Sequence, residues 1–120
     1  MTRRRVVITG LGIISPVGNS IDEAWGNILV GRSGIDRITR FDASAFPVQI
    51  AGEVRNFDVS QYIPSKDARR MDTFIHYGMA AGIQAIKDAG LEANPANADR
   101  IGVSIGSGIG GLPLIETTRD

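Results

Sequence analysis

The apolar positions of the chain fall into two kinds of pattern. Two short β-branched runs break into glycines: Arg5-Val6-Val7-Ile8-Thr9-Gly10-Leu11-Gly12-Ile13-Ile14-Ser15-Pro16-Val17-Gly18, and Ile101-Gly102-Val103-Ser104-Ile105-Gly106-Ser107-Gly108-Ile109-Gly110-Gly111. Such runs predict buried strands that feed tight turns. Between them the apolar residues take a helical period. Ile21, Ala24, Trp25, Ile28 and Leu29 fall at i, i+3, i+4, i+7 and i+8, which predicts an amphipathic helix. Ser20 is its N-cap, Ser20-Ile21-Asp22-Glu23 fits a capping box with Glu23 reaching back to the Ser20 amide, and Gly31 ends it.

Residues 32–47 read as a connector, and Val48 to Val54 alternates like an exposed or edge strand. A longer helix is predicted from Pro64-Ser65 to Gly90, carried by Met71, Phe74, Ile75, Gly78, Met79, Gly82, Ile83 and Ile86. Gly78 and Gly82 each cost about 1 kcal/mol relative to alanine in a helix. Another element is therefore expected close against that face, making the helix a buried layer. Asn94-Pro95 to Asp99 is a loop into the strand at Ile101, and Leu112 to Asp120 begins a further amphipathic helix. Strand, helix, strand, helix, strand argues an α/β fold with parallel crossovers. The last helix stops with no terminator, as though cut.

Composition narrows the chemistry. A chain of 120 residues is one domain or part of one. Hydrophobic residues at 42% suffice for a core, and 13 Lys plus Arg balance 13 Asp plus Glu, so no global field favours nucleic acid or an anionic membrane. Zero cysteines exclude a disulfide, a thiolate metal site and a cysteine nucleophile within these residues. One histidine, His76, argues against an internal Ser-His-Asp or Cys-His arrangement. It reads as a partly buried structural side chain. Asp42, Asp58 and Asp72 form no recognisable carboxylate pair, and no spacing fits zinc or calcium. Arg3-Arg4-Arg5 before an apolar stretch imitates a secretion signal. Gly10 and Gly12 interrupt it, and no small-x-small site follows Ser15-Pro16, so a strand is the better reading. No apolar run approaches the ~18 residues of a membrane span, and the cytoplasm is the default location.

Three motifs remain. Gly106-Ser107-Gly108-Ile109-Gly110-Gly111 matches GxGxxG between a predicted strand and a possible helix, the context of a dinucleotide fingerprint. It follows two helices rather than opening its domain, so a tight turn is the reading adopted and no cofactor is expected. Gly26 to Ser33 nearly spells a P-loop, but its interior is an apolar helical face and no strand precedes it. Lys66, Arg69 and Arg70 lie at i, i+3 and i+4 on one side of the long helix, either a solvated face or a small basic patch.

The chain resembles the 3-oxoacyl-(acyl carrier protein) synthases, the condensing enzymes of fatty-acid synthesis. The matching residues are Arg4 to Gly12, Ser15-Pro16-Val17-Gly18-Asn19, Trp25, Gly31-Arg32-Ser33-Gly34-Ile35, Phe41-Asp42, Ala51-Gly52, Arg69-Arg70-Met71-Asp72, Tyr77-Gly78, Arg100-Ile101-Gly102 and Gly106 to Gly111. The type II elongating synthases are the nearest likeness, and polyketide ketosynthases share much of the pattern. The resemblance implies that residues 1–120 are the front part of a β-ketoacyl synthase N-terminal domain, an incomplete thiolase-like layered α/β/α fold. It implies decarboxylative Claisen condensation with acyl and malonyl thioesters of acyl carrier protein, no metal or cofactor, and a homodimer. No catalytic residue is expected within 1–120. Lys66, Arg69 and Arg70 would dock the carrier, and Ile109 would gate the acyl pocket. A non-catalytic chain-length-factor-like partner and an NAD-binding enzyme are the other readings.

Overall fold

The first helix, α1, spans Ile21–Leu29 in the computed structural model, which describes residues 3–119. Ser20 caps it through its hydroxyl, which accepts from the Glu23 amide at 3.3 Å. Glu23 reaches back one residue further than a capping box requires and accepts from the Asn19 amide at 2.8 Å. At the far end Gly31 has a φ of 69°. Its amide donates to Ile28 and the Arg32 amide to Asn27, which is the paired-bond ending of a Schellman motif. Ala24 on the inner face is buried, whereas Trp25, Ile28 and Leu29 remain more than half exposed.

The long helix expected from residue 65 to residue 90 is two helices. The first, α2, is the single turn Ser65–Ala68; the second, α3, is Thr73–Asp88. Asp72 makes the break. Its backbone is extended, and its carboxylate accepts from the Thr73 amide at 2.7 Å, capping α3. Gly90, at φ 60°, ends α3 with the same pair of bonds as in α1, from Gly90 to Lys87 and from Leu91 to Ile86. A last helix, α4, covers Leu112–Arg119 as expected; Asp120, which the sequence reading placed in it, lies outside the described residues.

The two glycine-broken runs behave differently from expectation. Neither forms a strand among the described residues. Val6 and Ile8 are 92% and 82% exposed, and Val103 is 76% exposed, so these side chains are not buried. Strand structure needs a ladder of backbone hydrogen bonds, and among the described residues the only ladder is that of β1 with β2. The described sheet is instead a two-stranded antiparallel hairpin, β1 (Ile35–Arg37) with β2 (Ile50–Gly52), in the register Ile35–Gly52, Asp36–Ala51, Arg37–Ile50. The Cα radius of gyration is 17.9 Å, against about 14 Å for a compact domain of this length. Among the described residues the buried apolar set is Ala24, Ala43, Ile63, Ala68 and Ala80.

The first run is nevertheless anchored. Leu11 donates its amide to Asp88 at 2.8 Å and Ile13 to Gln84 at 3.1 Å. Gln84 also donates to the Asn19 carbonyl and to the Tyr62 hydroxyl. Gly10 and Gly12 lie against the Ala81-Ala85-Ala89 stripe of α3, where an added Cβ would overlap helix backbone. Close approach to α3 therefore happens on the alanine stripe. The expected tight packing at Gly78 and Gly82 is absent, since a Cβ there would meet Ile105 at 3.4 and 3.8 Å, ordinary contact distances.

The hairpin is locked by a carboxylate. Glu53, 8% exposed, accepts from the Thr39 hydroxyl at 2.8 Å, the Thr39 amide at 3.2 Å and the Arg40 amide at 3.3 Å. The Thr39 hydroxyl and amide hold its pKa below the usual glutamate range. A lowered folded-state pKa contributes stability that is complete above the unfolded value and is lost as pH falls through the folded one. As pH falls below the ordinary glutamate range the wild-type urea midpoint should therefore fall more steeply than that of Glu53→Gln. Parallel pH dependences would remove Glu53 from this role.

Candidate functional site

Lys66, Arg69 and Arg70 are all exposed. Lys66 lies in α2, Arg69 caps its C-terminus and Arg70 sits in the turn that follows, its amide donating to Asp67 at 3.0 Å. The helical turn thus continues just far enough to keep the three on one side. Arg69 Nε folds back to the Ser65 carbonyl at 3.3 Å, which fixes the root of its guanidinium. Among the described residues none of the three is paired with a carboxylate. Asp72, two residues past Arg70, instead gives its carboxylate to the Thr73 and Leu114 amides.

Arg69 and Arg70 line an open groove of about 280 Å³ whose other wall is Pro113, Leu114 and Thr117 of α4. This brings two of the three basic residues beside the segment that follows Ile109. Ile109 itself sits in a bend, 73% exposed. The next residue, Gly110, has a φ of 84°, and a Cβ there would meet the Phe74 ring at 3.2 Å. Gly111 is tighter still: a Cβ would overlap the Asp72 carboxylate.

A second, apolar cleft of about 480 Å³ opens between α3 and the segment Ile105 to Ser107. Phe74, Ile75, Tyr77, Gly78 and Met79 form its helix side. Ile109 is not part of its lining, so the structure sets the proposed gate beside this cleft rather than inside it. Phe74 links the two, lining the cleft and bearing on Gly110. Tyr77 is held by an edge-on contact with Phe57, centroids 5.2 Å apart, and by the Arg40 guanidinium, which donates to its hydroxyl at 3.1 Å. His76 bonds the Ala68 carbonyl at 2.9 Å through Nε2, joining α3 to α2, consistent with a structural part.

The dinucleotide reading of Gly106 to Gly111 loses its context. No strand leads directly into the motif among the described residues, and the Leu114 amide at the start of α4 is taken by the Asp72 carboxylate at 3.3 Å. An anion already in place disfavours a pyrophosphate there. Asp72 and Phe74 are the site residues that sequence reasoning missed. The available signal was Asp72 immediately before Thr73, a cap in the middle of an apolar period.

The profile described as "Beta-ketoacyl synthase, N-terminal domain" matches residues 3–119. The chain belongs to the β-ketoacyl synthase family. It is similar to proteins named 3-oxoacyl-(acyl-carrier-protein) synthase 2: one from Vibrio cholerae serotype O1 is 59% identical over 98% of this chain, and one from Coxiella burnetii is 53% identical over 100% of it. A namesake from Staphylococcus aureus strain COL is 51% identical over 94%. The chain spans 28%, 29% and 27% of the length of these relatives. Among solved structures, "The ishigamide ketosynthase/chain length factor" superposes with a TM-score of 0.65 at 39% identity, covering 76% of this chain and 23% of that one. The thiolase-like α/β class expected from the resemblance is thus the fold class of the chain, although the described residues do not themselves assemble the parallel sheet. No helix among them is long and apolar enough to cross a membrane.

Proposed function

We propose that this chain is part of a fatty-acid-elongating 3-oxoacyl-(acyl carrier protein) synthase, and that it supplies carrier docking and one wall of the acyl pocket. The observation that carries the reading is the 59% identity, over 98% of the chain, to a relative named for that activity. The geometry adds support: Lys66, Arg69 and Arg70 are exposed, and the two arginines line a groove shared with the start of α4, the helix that follows the loop of Ile109. An acidic carrier would be steered to such a patch.

The reaction joins two thioesters. An acyl group passes from its carrier to a cysteine thiolate of the enzyme, releasing the carrier thiol. Malonyl-carrier then loses carbon dioxide, and the carbanion left behind attacks the acyl-enzyme carbonyl. A carbon–carbon bond forms as the carbon–sulfur bond breaks, giving 3-oxoacyl-carrier and the free thiolate. The thiolate needs a lowered pKa, and the developing oxyanions need fixed donors. The chain has no cysteine and a single histidine. The cysteine, two histidines and assisting lysine that the resemblance calls for lie outside these residues, and the 120 residues alone should be inactive. Homodimerisation and a cytoplasmic location complete the reading; the exposed apolar runs suit burial against further protein.

Ile109 tests the pocket assignment. In the complete synthase Ile109→Phe is expected to cut condensation on medium-chain primers by about tenfold or more while sparing the shortest, since small volume changes in an apolar pocket discriminate on this scale. Initial rates across a primer series measure it, and unchanged medium-chain rates would remove Ile109 from the gate. A second reading, a non-catalytic chain-length-factor-like partner, draws on the solved relative, whose name pairs a ketosynthase with a chain length factor. Carbon dioxide release from malonyl-carrier by the complete protein decides between them.

A further inference from the structure

The start of α4 lacks its own cap. Gly111 occupies the capping position, since its carbonyl accepts the first helical bond, from Ile115 at 3.1 Å. A capping side chain would offer an oxygen to the second or third amide of the helix. Gly111 has no side chain, and the second residue is Pro113, which has no amide hydrogen. The donor left over is Leu114, and the Asp72 carboxylate reaches across from the start of α3 to accept from it at 3.3 Å. The same carboxylate caps α3 through its other oxygen, on the Thr73 amide at 2.7 Å. One side chain therefore caps two helices. Gly111 must be glycine for this to work, because a Cβ there would fall on the carboxylate. Beside it Phe74 closes on Gly110. The two residues after Ile109 are both fixed by the first turn of α3.

We infer that Asp72 is a positioning residue for chain-length selection: by tying the start of α4 to α3 it fixes the loop that presents Ile109, and so sets how sharply the synthase discriminates primers. This rests on the gate reading of Ile109 given above. It assigns Asp72 no contact with substrate.

Asp72→Asn separates the two capping tasks. Asparagine is a good cap but has one oxygen for two amides. One of the ties is lost while the isosteric side chain keeps the fold. In the complete synthase the variant is expected to flatten the primer profile, moving the ratio of longest to shortest primer rates by about fivefold, the weight of one hydrogen bond. The rate on the shortest primer should stay within about twofold. Hydrogen exchange in the segment 112–116 should quicken. Gly111→Ala, which displaces the carboxylate from the other side, should move the profile in the same direction. A profile and an exchange rate both unchanged in Asp72→Asn would overturn the inference, as would an equal loss on every primer, the mark of simple destabilisation. Ile109→Phe run alongside separates the two readings. If it shifts the profile and Asp72→Asn does not, the gate stands and the Asp72 assignment falls. If Ile109→Phe also leaves the profile unchanged, the gate reading itself falls.

Discussion

Replacing Lys66, Arg69 and Arg70 together by glutamate in the complete synthase is expected to weaken carrier binding by about ten- to a hundredfold at low ionic strength. The three side chains are exposed, stand on one side of α2 and its following turn, and among the described residues share no ion pair. Their charge is therefore available to a partner, and reversing it turns attraction into repulsion. The loss should appear mainly in the association rate, because exposed charges steer encounter more than they hold a complex. It should shrink with salt: near 1 M the screening length is about 3 Å and the two proteins should converge. Surface plasmon resonance across a salt series measures both effects. Equal affinity and equal salt dependence would show that the patch is an ordinary solvated face. Single replacements should be unequal, with Arg69 the mildest, since its guanidinium already leans on the Ser65 carbonyl.

Gly12→Ala is expected to have the largest effect on stability, about 2–3 kcal/mol in the complete protein. The added methyl group would land on the Ala81 carbonyl of α3, and backbone cannot step aside as a side chain can. Gly26→Ala makes the opposite forecast from the same kind of observation. Gly26 lies inside α1 with nothing within 4 Å of an added Cβ. Alanine there should stabilise by about 0.5–1 kcal/mol through helix propensity alone. Urea midpoints of the two variants, measured side by side, should therefore move in opposite directions. If Gly12→Ala were neutral, the docking of the first apolar run on the alanine stripe would be wrong.

What could be read from the sequence was what local chemistry decides. The Ser20 cap and the Gly31 and Gly90 endings each depend on residues within a turn of one another. The break at Asp72 was hidden because Met71, Phe74 and Ile75 continue the apolar period straight across it, and one capping carboxylate is a weaker signal than a run of apolar side chains. β1 was missed for a similar reason: Ile35-Asp36-Arg37 is short and exposed, and is a strand through its pairing with β2 alone. The two β-branched runs mislead in the other direction. Their propensity is real, but a strand forms through a backbone ladder, and among the described residues none pairs these runs. At the site, the basic trio and Ile109 were visible as residue types. The Asp72 bond to Leu114 joins residues 42 positions apart, and no pattern along the chain foreshadows it.

The bare runs also bear on synthesis. Val6, Val7 and Ile8 belong to the family's N-terminal domain, and in the Vibrio relative a stretch like this makes up 28% of the length. In such a synthase these side chains leave the ribosome well before most of the polypeptide that could cover them. At about 5–20 residues per second the wait is on the order of tens of seconds. During that interval the nascent chain offers β-prone, uncharged segments, the kind that pair with whatever edge they meet. Arg3, Arg4 and Arg5 stand immediately before them and place like charge where two copies would otherwise align. Val6, Val7 and Ile8, exposed as they stand here, are safe from such pairing only where further protein covers them.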